Sequence, residues 1–156
     1  MATHLVRPSS LEQRERPIAV ARHVAAYGTT EAMNRAGRYK LVRQTAGRGY
    51  YAIVQIEVSE TTNGPAVEID NGLSDWMYKE YGAAAMDGVH YALQHTGSLL
   101  DLTFIHVKIT DIQEFLVDTC SGSVAFAACY ATWDALGVEG KNPPQLVNKR
   151  VEFPID

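Results

Sequence analysis

Between positions 37 and 54 the chain reads Gly-Arg-Tyr-Lys-Leu-Val-Arg-Gln-Thr-Ala-Gly-Arg-Gly-Tyr-Tyr-Ala-Ile-Val, and no other stretch restricts its fold as much. Aromatic and β-branched residues lie on both sides of Gly47-Arg48-Gly49, the pattern of two strands joined by a bend. The spacing predicts strands over 39–44 and 50–58. Glycines at 47 and 49 can take positive φ and would hold Arg48 out to solvent between them. In the second strand, Ala52, Val54, Ile56 and Val58 form one buried row, with Ile53, Gln55 and Glu57 on the wetter face. From Arg35 to Arg48 there are five cations and no carboxylate. Bare, this is a β-hairpin with a cationic bend.

The charge outside that hairpin sharpens the question of its partner. Residues 1–50 hold nine Lys and Arg against three Asp and Glu, while residues 51–156 hold five against fifteen, for a net charge of −4. A basic arm on an acidic body can grip nucleic acid, neutralise its own body, or pair with the acidic face of another copy. Cross-strand pairs of Arg38, Lys40 or Arg43 with Glu57 or Glu68 would be the local form of neutralisation, each contributing less than about 1 kcal/mol if exposed.

The remaining chain is of ordinary globular composition, 46 % apolar and 21 % charged over 156 residues, enough for one domain with a normal core. The N-terminus has no apolar leader and no run approaches membrane length, and Cys120 and Cys129 lie about 13 Å apart in rise if helical, too far to bridge. Reduced thiols of this kind fit a cytoplasmic protein. Residues 1–15 are expected to be a flexible segment and 16–156 a single domain.

Taken in order, residues 17–26 alternate enough for a strand and 29–35 suggest a turn of helix. After the hairpin, 60–65 reads as a loop, 66–69 as a short strand, and Asp70-Asn71-Gly72 as a turn. A helix over 76–94 carries Met77, Tyr81, Ala84, Ala85, Gly88 and Ala92 as one stripe to lay on a sheet, with Gly97 as its stop. A strand over 102–109, a turn over 111–115 and a brief extension over 116–118 lead to a second helix over 124–136. That helix is apolar or small on nearly every side, which marks it as the more buried, and Gly137 ends it. Residues 146–153 read as a last strand. The order implies an α+β two-layer sandwich, one sheet with two main helices on one face.

Catalytic patterns are missing. No Gly-x-x-x-x-Gly-Lys-Ser/Thr is present, and Gly137-Val138-Glu139-Gly140-Lys141-Asn142 has the wrong spacing for a phosphate loop. His4, His23, His90, His95 and His106 include no pair four apart, so no zinc site is expected, and His106 reads as a structural strand histidine. Asp111, Glu114 and Asp118 read as a solvated acidic loop rather than paired catalytic carboxylates. Ser121-Gly122-Ser123 is no nucleophile elbow. The expectation is therefore no enzyme, no cofactor and no metal.

Four stretches together resemble domain IV of elongation factor G. Arg16-Pro17-Ile18-Ala19-Val20-Ala21-Arg22 is similar to that family's opening strand, and the hairpin from Gly37 to Tyr51 to its Gly-Lys-Phe-x-x-Gln-Ser/Thr-Gly-Gly-Arg-Gly-Gln-Tyr-Gly. Lys79-Glu80-Tyr81 with Ala84, Ala85 and Gly88 resembles its Arg-Glu-Tyr-Ile-x-Ala-Val-x-x-Gly helix. Residues 99–109, then Asp111 and Asp118-Thr119 before a small-residue helix, resemble its closing strand, tip loop and final helix. The order holds over residues 16–136. The resemblance implies a ribosomal-protein-type α/β fold with a left-handed β-α-β crossover, no enzymatic centre, and contact with the ribosome or structured RNA. On that reading Arg38, Lys40, Arg43 and Arg48 are the candidate RNA-binding residues. Asn71 and Gly72, with Gln113 and Phe115, occupy the two family tip loops. The acids around those tips, Asp70, Asp75, Asp111 and Glu114, would repel phosphate. The competing expectation is a protein-interaction or self-associating module, a homo-oligomer or a partner's subunit, that keeps the fold without RNA binding.

Overall fold

The computed structural model describes residues 34–45, 47–61, 67–71, 79–96 and 105–155. Strand β1 (Asn34–Thr45) is followed by β2 (Arg48–Glu60), β3 (Val67–Asn71), helix α1 (Lys79–Gln94), β4 (Ile105–Gln113), helix α2 (Ser121–Leu136), and a small hairpin of β5 (Gln145–Val147) and β6 (Arg150–Glu152). The main sheet has the order β1-β2-β4-β3. β1 with β2 and β2 with β4 are antiparallel, whereas β3 runs parallel to β4, so β3-α1-β4 is the crossover unit. α2 covers β1 and β2, α1 reaches β3 and β4, and the two helices pack side by side. This is the expected two-layer sandwich.

Alternation along β2 decides which face is buried. Ala52, Val54, Ile56 and Val58 are sealed under the helices with Ile105, Val107 and Ile109 of β4, while Glu57 is exposed. Ile53, on the other face, is buried as well. α2 holds the centre because of its composition. Val124, Ala127, Ala128, Ala131 and Leu136 are all fully buried. Its last turn closes as a Schellman motif: Gly137 takes φ 66°, its N–H donates to Asp134 O, and Val138 N–H donates to Trp133 O, each at 3.1 Å.

Small residues set how closely the layers approach. A Cβ on Gly88 of α1 would collide with the Ala125 carbonyl of α2, and one on Gly37 of β1 with Ala131 and Ala135. The Tyr81–Ala92 stripe, expected to lie on the sheet, therefore faces α2 instead: Ala84, Ala85 and Ala92 are buried and Trp133 Nε1 donates to Ala92 O at 2.9 Å. Where the backbones come this close, at Gly88 and Ala125, only the smallest side chains fit between the helices.

Several boundaries differ from expectation. Asn34 and Arg35 belong to β1 rather than to a helical turn, because pairing with Ser59 and Val58 continues that far. Asp70 and Asn71 extend β3 by pairing with Lys108 and Ile109, and Asp111 to Gln113 extend β4 by pairing with β2 past a bulge at Gln55/Ile56. Residues 116–118 form a turn, not an extension. The last strand is two strands, since Asn148 and Lys149 both take positive φ and fold the chain back. The expected flexible segment 1–15, the strand over 17–26, the loop over 62–65, Gly72, the helix start at 76–78 and Gly97 lie outside the described residues.

Candidate nucleic-acid interface

The first hairpin bends one residue earlier than its glycines suggest. Thr45 already pairs with Arg48, so the chain reverses ahead of Arg48, with Gly47 at φ 84°, and Arg48 is the first residue of β2. Gly49 serves a different purpose: a Cβ there would strike the Asp118 carboxylate, so its absence lets the loop before α2 close on the strand. Arg48 remains exposed and its guanidinium carbon sits 5.4 Å from the centre of the Tyr50 ring.

Register sorts the candidate cations into two groups. On β1, Gly37, Tyr39 and Leu41 face the helices, so Arg43 shares their side, while Arg38 and Lys40 take the opposite face. Arg43 stands directly across from Tyr50, and Arg48 is two residues before it on the same side. Arg43 is also felt at Tyr130. Burial, then Tyr39 and Cys129, push the Tyr130 phenol above its ordinary value, and Arg43 pulls it back. Arg43, Arg48 and Tyr50 thus share one side of the hairpin end, and the other pair does not join them. Arg35, the fifth cation of the stretch, donates from Nη1 to Leu136 O at 3.3 Å, where a cation suits the carboxyl end of α2.

The expected cross-strand neutralisation takes another form. Glu57 lies opposite Ala36 and Lys108, Glu68 opposite His106, and Arg38 and Lys40 face Gln55 and Ile53. Asp134 of α2 instead accepts the Arg38 backbone N–H at 3.0 Å, on the edge of β1 away from β2. Arg38 also lines a cleft of about 510 Å³ with Tyr39, Tyr130, Trp133, Asp134 and Glu139, where two carboxylates accompany the one cation.

The second expected tip is well anchored. Thr119 Oγ1 accepts the Phe115 N–H and donates to Tyr51 O, both at 2.7 Å, while Tyr51 N–H donates to Asp118 O at 2.9 Å. The Phe115 ring lies 6.0 Å from that of Tyr51. Phe115, Leu116 and Val117 are 59, 90 and 83 % exposed, an apolar knuckle beside the basic bend, and Val42 opposite Tyr51 is 55 % exposed. Gln113 donates from Nε2 to Asp111 Oδ2 at 3.0 Å. The phenol of Tyr81, near Thr119 O, is raised above its usual value by burial and then by Glu114 and Glu80. Asn71 is the last residue of β3, in register with Ile109, and Gly72 after it lies outside the described residues.

Sequence reasoning missed a further basic element. The Tyr50 hydroxyl donates to the Lys149 carbonyl, seating the β5–β6 turn against the first hairpin. Lys149 and Arg150 are both exposed. The signal was present as Asn148-Lys149-Arg150, a polar interruption between Leu146-Val147 and Val151, where an unbroken strand had been expected.

Among the described residues no group of three His, Cys, Asp or Glu could hold a metal, and no helix is long and apolar enough to cross a membrane. Cys120 and Cys129 are free thiols, and burial drives the Cys129 thiol far above its ordinary value, away from the reactive thiolate. His95 stacks on Tyr91 at 4.0 Å and serves packing.

Fold and site together define a two-layer α+β module with a basic, partly aromatic end. No protein-family model matches the chain. Elongation factor G of Chlamydia caviae is 29 % identical over 111 residues, which is 70 % of this chain and 16 % of that protein. A crystal structure of a Thermus thermophilus protein superimposes with a TM-score of 0.52 at 18 % identity, over 65 % of this chain and 16 % of the other, which establishes likeness of fold. The chain is thus similar to elongation factor G over a small part of that factor's length, and the resemblance to its domain IV drawn from the hairpin and helix motifs is borne out.

Proposed function

We propose that this chain is a non-catalytic, cytoplasmic module of the elongation-factor-G domain-IV type that binds ribosomal or other structured RNA through its first hairpin. The observation that carries this reading is the register that sets Arg43 and Arg48 on one side of the hairpin end around Tyr50. Two exposed guanidinium groups on a stiff two-stranded support suit phosphate oxygens, which accept paired N–H donors. The similarity to a translation factor gives the RNA its natural setting.

The test is co-sedimentation of the purified protein with ribosomes at low and high salt, beside Arg43→Ala/Arg48→Ala. Salt-sensitive association that disappears in the double variant is the expected result. Absence of association at low salt would sink the translational role.

One observation favours a second reading. Phe115, Leu116 and Val117 expose an apolar knuckle that suits a protein partner or a second copy of the chain. Binding that is indifferent to Arg43 and Arg48 but abolished in Leu116→Ser, or a concentration-dependent oligomer abolished in the same variant, would move the function to that surface.

A further inference from the structure

The basic end contains more than the first hairpin supplies. Tyr50 is 2 % exposed, yet it touches three cationic segments. Arg43 faces it across the β1–β2 ladder, Arg48 lies over its ring, and its hydroxyl holds the backbone of Lys149. Lys149 sits in a two-residue turn whose left-handed backbone, φ 48° at Asn148 and 64° at Lys149, keeps the β5–β6 hairpin tight. Arg150 follows at once. Its neighbour Val151 packs on Gly122 at the start of α2, so alternation sends Arg150 to the other side, away from that contact. Among the described residues, carboxylates in this neighbourhood include Asp118, against Gly49, Glu152, across from Gln145, and Glu80, which accepts from Ser121 Oγ beside Gly122.

We infer that the β5–β6 hairpin is a second phosphate-binding element, in which Lys149 and Arg150 join Arg43 and Arg48 to hold the sugar–phosphate backbone of RNA. This deepens the proposed function and rests on it. The ligand is a phosphodiester chain rather than an isolated anion, because the cations come from two hairpins and surround a ring instead of converging on one point. Tyr50 acts as a positioning residue: it sets the spacing of the two hairpins and is too buried to meet RNA itself.

The experiment measures the anisotropy of a fluorescein-labelled RNA stem-loop against the whole protein over about 50 to 200 mM KCl, where phosphate contacts dominate the salt dependence. Lys149→Gln/Arg150→Gln is expected to weaken binding about tenfold at low salt. It should also flatten the plot of log affinity against log salt by about 1.4 to 1.8, roughly 0.7 for each phosphate no longer neutralised in a single-stranded loop and 0.9 in a duplex stem. Tyr50→Phe, which keeps every charge, is expected to weaken binding several-fold while leaving most of that slope. If Arg43→Gln/Arg48→Gln reduces binding and Lys149→Gln/Arg150→Gln does not, the second element is overturned and the proposed function stands. If the unaltered protein binds the RNA without salt dependence, or not at all, both fall. Circular dichroism of each variant confirms that the exposed substitutions leave the fold intact.

Discussion

Gly88 shows how much a single missing methyl can decide. The α1 backbone lies so close to α2 that a Cβ would meet the Ala125 carbonyl, and a carbonyl in the middle of a helix cannot move aside without shifting its turn. Gly88→Ala should therefore destabilise the protein by about 1–3 kcal/mol, the usual range for overpacking, although alanine favours helix by roughly 1 kcal/mol over glycine. Urea unfolding checks the sign: a stabilised Gly88→Ala variant would mean the helices are not in close register there. Gly49 belongs to the same class. Its glycine looked like half of a flexible bend, because sequence shows that a glycine is present but not whether a turn or a neighbour requires it. Only the position of Asp118, far along the chain, separates the two.

Among the elements, those with internal periodicity were legible. The alternation of β2 and the nearly all-apolar surface of α2 gave the buried row and the central helix correctly, since burial on a strand or helix repeats with that element's own period. Ends were less legible. Asp70-Asn71 and Asp111-Ile112-Gln113 have turn-like composition, but pairing with a strand already in place holds them extended. The cation sites were half legible for the same reason: Arg43 and Arg48 lay in a readable strand pattern, whereas Lys149 gains its place through a bond to Tyr50, 99 residues away. The loop before α2 makes a prediction at this scale. Thr119 Oγ1 joins Phe115 N–H to Tyr51 O, which also accepts from Ser123 Oγ at 3.3 Å, so Thr119→Val keeps the shape and removes both Thr119 bonds. Losing them should cost about 1–3 kcal/mol in thermal or urea unfolding. It should also raise hydrogen exchange at the Phe115 amide before that of the β2 core. Unchanged exchange there would show that backbone bonds such as Asp118 N–H to Phe115 O hold the loop unaided.

For the molecule as a whole, the charge asymmetry becomes a question of orientation. The acidic balance after position 50 would make most approaches of a polyanion unfavourable, so a single favoured face is required. Two faces compete. Arg38 and Lys40 stand on the face of the sheet away from the helices, with Glu57 on the same face of the neighbouring strand. Arg38 also shares its cleft with Asp134 and Glu139. Arg43 and Arg48 stand at the hairpin end, with Lys149 and Arg150 nearby and Asp118 and Glu152 among the local carboxylates. Coulomb attraction falls with every carboxylate at comparable distance, so the hairpin end should win even though each face contributes two of the original four cations. Arg43→Gln/Arg48→Gln should then cut RNA affinity at least tenfold at low salt, while Arg38→Gln/Lys40→Gln leaves it within about twofold. A cation removed from the binding face takes its share of counterion release with it, and one removed elsewhere does not. Both double variants change net charge equally, from −4 to −6, so a difference between them cannot come from long-range repulsion. Equal losses would reduce the interaction to net charge alone, and the reverse order would put the RNA on the sheet face opposite the helices, away from the Tyr50 cluster.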